Sequence, residues 1–497
     1  MDAKKKTITN SVFGFVSQLV IIIMGLVIPR IVLVSYGSDT NGLTNTIGQI
    51  FTYMALLEAG ISVSARNAFY KPIKENDKSG ISFVASLAKR YYRKISIIYL
   101  FIVVCLSIAL PYIFKTSISY WTICLYTLFE GLTSVVSFYF INTWVTFLQA
   151  KGETYIINIF SLIGKVLCYC VKITLSLMSY NIVYIQIGYF GVSLIVLFLY
   201  RHYMMRKYGW INYSYDTKNE KLKDKNANLL SEIAWVVFSS TDMIVISAFI
   251  STSASSVYAI YNNIYLAINT LLFSVYSAVN YHLGLIFNSG DMERYKRIHD
   301  AFMTTFVGSM CMLMSICYYL ILPFVKLYTN GVTDVNYVYK YLPILFCLVQ
   351  ILSWSRYVTG NLIGISFRQK PAIKINIIEA VTNLLLSIIL VVRMGIEGVL
   401  LATVIALPLK VIYCTYVSDR IILKRDSRKT ITILICNYLT FGTYVIIHHY
   451  VNLQINSIVS FVSHGIVISV VIGISYVFLN MIVNKDIVKV IKLLRKD

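Results

Sequence analysis

Long apolar stretches with almost no charged residues constrain this chain more than any other feature. An α-helix of roughly 20 apolar residues spans a bilayer core of about 30 Å, and the 497-residue sequence contains fourteen stretches of that length. We therefore predict an all-α integral membrane protein with fourteen transmembrane helices. The predicted spans are residues 10–36, 44–69, 95–114, 119–148, 154–178, 182–200, 230–251, 257–287, 301–325, 340–366, 373–392, 396–417, 430–449 and 457–480.

The composition supports the same class. Hydrophobic residues form 58% of the chain and charged residues 13%, whereas a soluble domain carries about 25% charged residues. The net charge of +22 is distributed in small groups between the apolar stretches. It forms no basic domain, so we exclude a nucleic-acid partner and interpret the charge through the positive-inside rule.

The distribution of Lys and Arg predicts the orientation. With both termini in the cytoplasm, the inner segments carry 34 Lys and Arg residues and the outer segments carry four. This bias indicates a multi-pass protein whose two termini are both cytoplasmic.

A weak internal repeat predicts two bundles. The segments 32–51 and 245–268 each contain a span, a short Ser-containing outer turn and a polar-faced span. Six spans per repeat would relate the halves by an axis along the membrane normal. The predicted domains are an N-terminal lobe at 1–200, a cytoplasmic linker at 201–229, a C-terminal lobe at 230–417, and the last two helices with the tail at 418–497.

Charged residues inside the predicted spans are the candidates for function. A charge at the bilayer centre costs roughly 2.5–3.5 kcal/mol on insertion scales, so it usually faces water or a partner. Lys165 and Lys172 are seven residues apart and share a helix face, as Glu58 and Arg66 nearly do at a spacing of eight. The ten candidates are Arg30, Glu58, Arg66, Glu130, Lys165, Lys172, Asp242, Arg356, Glu379 and Lys410.

Six of these ten residues are basic, which favours an anionic ligand. Arg presents a fork that matches phosphate oxygens, and Lys presents a point charge. The alternative for Arg66 and Lys410 is that they extend to the lipid headgroups from helix ends. Glu379 is close enough to the inner end of its span to be interfacial instead.

The sequence shows no sign of catalysis or of a resident cofactor. It has no GxxxxGK[ST] loop, and its outer loops are too short to hold the carboxylates of a membrane glycosyltransferase or the large loop of a polymerase. All nine cysteines lie in apolar spans without metal-ligand spacing. We therefore predict a transporter that is not an enzyme, with no metal and no cofactor, and leave proton or sodium coupling open.

Three segments resemble the polysaccharide-type branch of the multidrug/oligosaccharidyl-lipid/polysaccharide (MOP) exporter superfamily. GLTNTIGQIFTYMALLEAGISVSARNAFYKP at 42–72 resembles its second span, and FSSTDMIVISAF at 238–249 its seventh. EAVTNLLLSIILVVRMGIEGVLLATVIA at 379–406 resembles its eleventh and twelfth spans. With the layout of six, six and two spans, the chain is most similar to Wzx-type flippases of O-antigen or capsule repeat units.

This resemblance implies a fold, a substrate and a location. Two six-helix lobes would enclose a cationic cavity in a bacterial plasma membrane, and alternating access would move undecaprenyl-diphosphate-linked oligosaccharides to the outer leaflet. Membrane lipids and the polysaccharide polymerase machinery are the other expected partners.

The resemblance also suggests roles for individual residues. Arg30 and Arg66 would contact the diphosphate or acidic sugars. Glu58, Asp242 and Glu379 would couple an ion or pair with the arginines. Lys165, Lys172, Arg356 and Lys410 are proposed as substrate contacts from their position alone.

Three alternatives stay open at this point. A MATE-type drug or cation antiporter has the same fold, although its cavity should be rich in carboxylates. A peptidoglycan-precursor flippase also shares the fold. A membrane enzyme of polysaccharide assembly, a polymerase or a ligase, is disfavoured by the short outer loops.

Overall fold

The structure of the protein, a computed structural model, describes residues 3–217, 241–366, 369–451, 453 and 455–484. Within these residues all regular structure is helical, as predicted. The α-helices are α1 Ala3–Lys74, α2 Lys78–Ile113, α3 Tyr120–Val136, α4 Asn142–Ala150, α5 Thr154–Leu177, α6 Ile182–Tyr208, α7 Thr252–Asn288, α8 Met292–Tyr328, α9 Leu342–Ile365, α10 Gln369–Tyr416, α11 Arg428–Tyr450 and α12 Ile458–Val483.

The predicted all-α membrane fold is confirmed. Nine helical segments of the described chain are long and apolar enough to cross a membrane by length and composition. Two helices, α1 and α10, each run through two predicted spans. Half of the seventh predicted span, residues 230–240 of 230–251, lies outside the described residues, which resume with a helical segment at 241–249. The count of fourteen transmembrane helices therefore stays a prediction.

Glycines form the turns inside the two longest helices. Gly37 in α1 has φ 78° and Gly395 in α10 has φ 62°. A side chain strongly disfavours this left-handed region, whereas glycine adopts it readily. Both residues lie at or next to a predicted outer turn, so each helix is kinked where the sequence predicts that the chain leaves the membrane.

Polar residues begin several helices. Asp77, Asn181 and Asp291 precede α2, α6 and α8, and each accepts a hydrogen bond from a backbone N–H of the first turn. Ser119 and Ser457 do the same for α3 and α12. These caps satisfy donors that a helix leaves unpaired at its N-terminus.

The fourth predicted span contains a π-helical turn. Residues Ser137–Ile141 connect α3 to α4, and the backbone N–H of Asn142 bonds to the carbonyl of Ser137, five residues back. A second such turn at Val417–Ile422 follows α10. π-Turns inside α-helices are rare and are frequent at functional sites.

The chain divides into two compact units, Met1–Ser256 and Val257–Asp497. The predicted linker at 201–229 contains the end of α6, and its residues 218–229 lie outside the described part of the chain. The unit boundary follows residue 256 because the segment 241–256 packs on the first unit. The division into lobes at 1–200 and 230–417 remains a prediction.

Each unit has an apolar core with buried aromatic residues. In the first unit, Tyr99 packs edge-on against Phe138 of the π-turn, with ring centres 4.9 Å apart. The ring centres of Phe69 in α1 and Phe147 in α4 are 5.6 Å apart. In the second unit, the rings of Tyr261 and Tyr265 are stacked on Phe346 of α9. These contacts fix the helices that carry the charged residues of the spans.

Candidate functional site

Two turns that the repeat relates to each other are in contact within the first unit. The carboxylate of Asp39, in the turn of α1, accepts hydrogen bonds from the hydroxyls of Thr252 and Ser253 at the start of α7. It also accepts bonds from the hydroxyl of Thr116 at 2.9 Å and the backbone N–H of Ser117 at 2.7 Å. Asp39 thus joins three segments that are distant in sequence.

The ionised form of Asp39 is the form that these contacts favour. Burial alone would raise the pKa of Asp39, but the hydrogen bonds from Ser117, Thr252 and Thr116 outweigh it, and its pKa lies below the ordinary value. Hydrogen bonds to a carboxylate stabilise the charged form. The contact is therefore strongest with Asp39 ionised.

The backbones of the two segments approach closely at Gly42. A Cβ atom added to Gly42 would overlap the carbonyl oxygen of Thr252. Further along α1, the hydroxyl of Thr46 contacts those of Ser247 at 2.6 Å and Ser255 at 3.0 Å. The contact is narrow, polar and without space for a side chain at position 42.

Glu58 lies in a network of neutral polar groups rather than beside an arginine. Its carboxyl group is within hydrogen-bonding reach of Ser62, Tyr92 and Asn142. The hydroxyl of Tyr92 in turn contacts that of Thr146 at 2.8 Å. The network connects α1, α2 and α4 at a depth where the sequence predicts hydrocarbon.

The two arginines of α1 lie on opposite sides of its turn. Arg30 is exposed and Arg66 is half-buried. No ion pair or hydrogen bond of Arg66 is present in the described part of the chain. Asp242 lies in the helical segment 241–249, close enough to Tyr53 of α1 to act on it electrostatically, and the preceding Thr241 contacts the Tyr53 hydroxyl.

A cavity of about 410 Å³ lies between α3, α5 and α6, and both Glu130 and Lys165 line it. Glu130 accepts a hydrogen bond from Gln186 and interacts electrostatically with Lys172. Lys165 lines the cavity, whereas Lys172 is not among its lining residues. The two lysines of one helix face therefore lie in different surroundings.

Three candidates of the second unit meet at one buried carboxylate. Glu379 forms an ion pair with Arg356, and its second oxygen lies 3.2 Å from the ammonium of Lys410. The side chains of Arg356 and Glu379 are 3% and 2% exposed. Two cations therefore share one anion, and Lys410 is paired rather than extended freely to the headgroups.

One charged cluster was not anticipated from the sequence. Arg425 pairs with Asp300 at 2.7 Å and with Asp419 at 2.8 Å, and Lys429 lies 3.0 Å from Asp300. Burial alone would lower the pKa of Arg425, but the two carboxylates raise it above its ordinary value. The only signal was a basic segment, 418–429, on the same predicted side of the membrane as the start of the span at residue 301.

The described residues contain no group of three His, Cys, Asp or Glu side chains that could hold a metal ion. The chemistry that these clusters offer is binding and charge pairing. Hydroxyl and amide groups dominate the first unit, and a compact ion cluster dominates the second.

No family model and no curated protein matches the sequence, but solved structures match the fold. "Lipid II flippase MurJ, inward closed conformation" aligns over 97% of this chain and 100% of its own, at 16% identity and a TM-score of 0.72. An inward-facing multidrug resistance MATE family transporter of the MOP superfamily aligns over 87% of this chain and 99% of its own, at 12% identity and a TM-score of 0.66. The MATE multidrug transporter DinF-BH aligns over 85% of this chain and 97% of its own, at 17% identity and a TM-score of 0.61.

These likenesses show the fold. The chain shares the fold of the matched flippase and transporters, and its described residues include nine helices long and apolar enough to cross a membrane. Their sequence identities of 12–17% are too low to assign the substrates of those proteins to this chain.

Proposed function

We propose that the protein is a flippase for undecaprenyl-diphosphate-linked oligosaccharide repeat units of the O-antigen or capsule type. It moves the headgroup from the cytoplasmic to the outer leaflet of a bacterial plasma membrane by alternating access, and both of its termini are cytoplasmic. The isoprenoid tail stays in the lipid during this movement.

The observation that carries the proposal is an excess of cations over carboxylates, six to four, among the described charged residues of the predicted spans. Glu379 meets two cations, Arg356 and Lys410, and Lys172 interacts electrostatically with Glu130. Lys165 faces a cavity of about 410 Å³. Because an unneutralised cation inside the membrane is costly, such a charge usually serves an anionic ligand or a pathway for one.

We assign contact with the diphosphate or acidic sugars to Arg30, Arg66 and Lys165. Lys172, Arg356 and Lys410 contribute positive potential while they hold their carboxylates. Glu58 is our candidate for ion coupling, with Asp242, because its carboxyl group lies among hydroxyl and amide groups that accept either protonation state.

The extent of the fold likeness supports a flippase over a drug antiporter. The lipid II flippase aligns over 97% of the chain, whereas the MATE structures align over 85–90%. The unmatched tenth or more is comparable in length to α11 and α12 together, which have 23 and 26 residues. The first of these proteins is named a flippase of lipid II.

The direction of transport agrees with a charged headgroup. With the cell interior negative, each net negative charge moved outward gains about 2.3 kcal/mol per 100 mV. A diphosphate headgroup is therefore driven outward by the membrane potential, and a proton or sodium ion that moves with it would change the net charge carried.

Two other functions on this fold are tested by the complementation experiment described below. A peptidoglycan-precursor flippase would act on another undecaprenyl diphosphate, and a MATE-type antiporter would act on organic cations. A polymerase or ligase would act on sugars at the outer face, and the structures that share this fold here are transporters or flippases rather than enzymes.

Complementation distinguishes these functions. The chain is expressed in a strain that lacks its repeat-unit flippase, in a strain that lacks its lipid II flippase, and in a drug-sensitive strain. We expect surface polysaccharide to return in the first strain, without rescue of growth in the second or drug resistance in the third. Rescue of the second or third strain alone would overturn the proposed substrate.

Variants of the same chain test the assigned contacts. R66A and K165A should each reduce surface polysaccharide, and R66A/K165A should nearly abolish it. The charge-conserving variants R66K and K165R serve as matched controls. Normal polysaccharide in R66A/K165A at normal protein levels would remove these residues from the site.

A further inference from the structure

The first unit contains a second, larger cavity that the proposed function does not use. It has a volume of about 660 Å³ and lies between α2, the π-turn with α4, and α6. Three cationic side chains line it: Lys89, Arg93 and Arg201. All three follow or precede spans on the predicted cytoplasmic side. None of the described residues that line it is an Asp or a Glu.

Two of the cations are held toward the cavity by aromatic rings. The ammonium of Lys89 lies 4.7 Å from the ring centre of Tyr213, and the guanidinium of Arg93 lies 5.0 Å from that of Tyr139. The indole N–H of Trp144 donates to the Tyr213 hydroxyl at 3.0 Å and fixes that ring. Cation–π contacts orient a charge without neutralising it.

No carboxylate in the described part of the chain therefore cancels the charge of this cavity. Within the residues that the structure describes, Lys89, Arg93 and Arg201 form no ion pair. A single Lys or Arg near a helix end often extends alone to the headgroups. Here three converge on one cavity from two helices, which is the arrangement of an anion-binding site.

An exposed apolar stripe leads away from the cations along α6. Leu194 and Phe198 line the cavity and are 44% and 66% exposed. They precede Arg201 by seven and three residues, which places them on the same helix face. In a membrane protein, exposed side chains of this type face acyl chains.

Helix α2 has a matching stripe. Ile97 and Phe101 follow Arg93 by one and two turns on the same face and are 65% and 71% exposed. They extend about 12 Å along the helix from Arg93 toward the bilayer centre, at about 1.5 Å per residue. The groove thus has a cationic end at the interface and apolar walls within the hydrocarbon.

We propose that this groove binds one anionic glycerophospholipid of the cytoplasmic leaflet. Its phosphate contacts Lys89, Arg93 and Arg201, and its acyl chains follow the stripes of α2 and α6. An anionic lipid supplies the negative charge that the cavity lacks, whereas a zwitterionic lipid brings its own cation. The proposal is independent of the transported substrate.

Native mass spectrometry of the full-length chain in detergent tests this binding. Phosphatidylglycerol and phosphatidylcholine with identical acyl chains are titrated separately into delipidated protein. We expect one phosphatidylglycerol per chain to bind at concentrations at which phosphatidylcholine does not. K89Q/R93Q/R201Q should weaken this binding by about tenfold or more, because three charge-assisted contacts are lost.

A matched variant removes the same charge from the same predicted side of the membrane. K74Q/K94Q/R206Q changes three exposed cations that do not line the cavity and should bind phosphatidylglycerol like the wild type. K89R/R93K/R201K should also retain binding. Circular dichroism and gel filtration verify that every variant is folded and monodisperse, and R93Q/R201Q, which leaves Lys89 in place, replaces the triple variant if that one aggregates.

Three results would overturn the proposal. Equal binding of phosphatidylcholine and phosphatidylglycerol would show that charge does not select the occupant. Equal weakening by the two glutamine triple variants would show that the lipid does not lie in this groove. Displacement of phosphatidylglycerol by millimolar inorganic phosphate would make the groove a phosphate site rather than a lipid site.

Discussion

The carboxylate of Asp39 accepts a hydrogen bond from the hydroxyl of Thr252, which ties the turn of α1 to the first residue of α7. The two residues belong to the segments that the internal repeat relates. If the protein works by the alternating access proposed above, this contact at a predicted outer face would have to open during transport. Changes at Asp39 should therefore alter how readily the outer side opens.

Acid should loosen the contact at Asp39. Because the pKa of Asp39 is lowered in the folded protein, its contribution is present at neutral pH and is lost as the pH falls below about 4, the ordinary pKa of an Asp side chain. A spin label on Ala254→Cys, with the native cysteines replaced, reports the change as increased mobility. D39N should be mobile at every pH, and a label equally immobile in D39N and wild type would contradict the assignment.

A methyl group at position 42 should force the two segments apart. In G42A the Cβ would overlap the carbonyl of Thr252, and overpacking of this kind costs about 1–3 kcal/mol. We expect a lower unfolding temperature and a mobile label at Ala254→Cys.

The control for this change is G48A on the same helix. A Cβ at Gly48 meets nothing within 4 Å, and Ala is favoured over Gly in a helix by about 1 kcal/mol. G48A should match the wild type or exceed it in stability. Equal behaviour of the two variants would mean that the approach at Gly42 does not matter.

Loss of the Glu379 carboxylate in the second unit should lower the unfolding temperature more than loss of the Arg356 cation. E379Q leaves Arg356 and Lys410 facing each other without a carboxylate, and breaking a buried pair in this way costs about 3–5 kcal/mol. R356M leaves Glu379 with Lys410 at 3.2 Å. Unfolding temperatures in detergent should rank wild type, R356M and then E379Q; a stable E379Q would show that the cluster does not support the fold.

The two lysines of α5 should have different effects when neutralised. K172Q removes the cation that interacts electrostatically with the buried Glu130 and should lower the unfolding temperature. K165Q removes a charge that faces the cavity and should lower surface polysaccharide with little change in stability. If both variants lose stability equally, Lys165 has a structural role and leaves the proposed site.

The sequence predicted the helices well because the bilayer imposes a length and a composition on each span. It also identified the charged residues of the spans, since a charge within a long apolar stretch is conspicuous. It could not predict their partners. Arg356 and Glu379 are 23 residues apart on different helices, and periodicity shows which face a residue occupies but not which helix lies opposite.

The contact between the two repeat-related turns could not be predicted from the sequence for the same reason. The similarity of 32–51 and 245–268 indicated equivalent structures, but it did not indicate that the two turns are in contact. The hydrogen-bond donors to Asp39 are Ser and Thr residues, which are common in every outer turn. The cluster around Arg425 was missed because charged residues in an inner loop are normally exposed to solvent. The sequence does not show that Asp300 and Asp419 lie against Arg425 in the folded protein.

The π-turn at Ser137–Ile141 affects how the sequence of this chain aligns with other proteins of the same fold. A turn closed by a bond to the fifth preceding residue holds one residue more than an α-turn, and each added residue rotates the remainder of the helix by about 100°. Deletion of one residue there would restore a regular helix but swing Thr146 away from Tyr92. Aligned with a protein whose fourth span is an uninterrupted α-helix, this chain should show a one-residue insertion between 137 and 141, and alignments that omit that gap will misassign every position of α4.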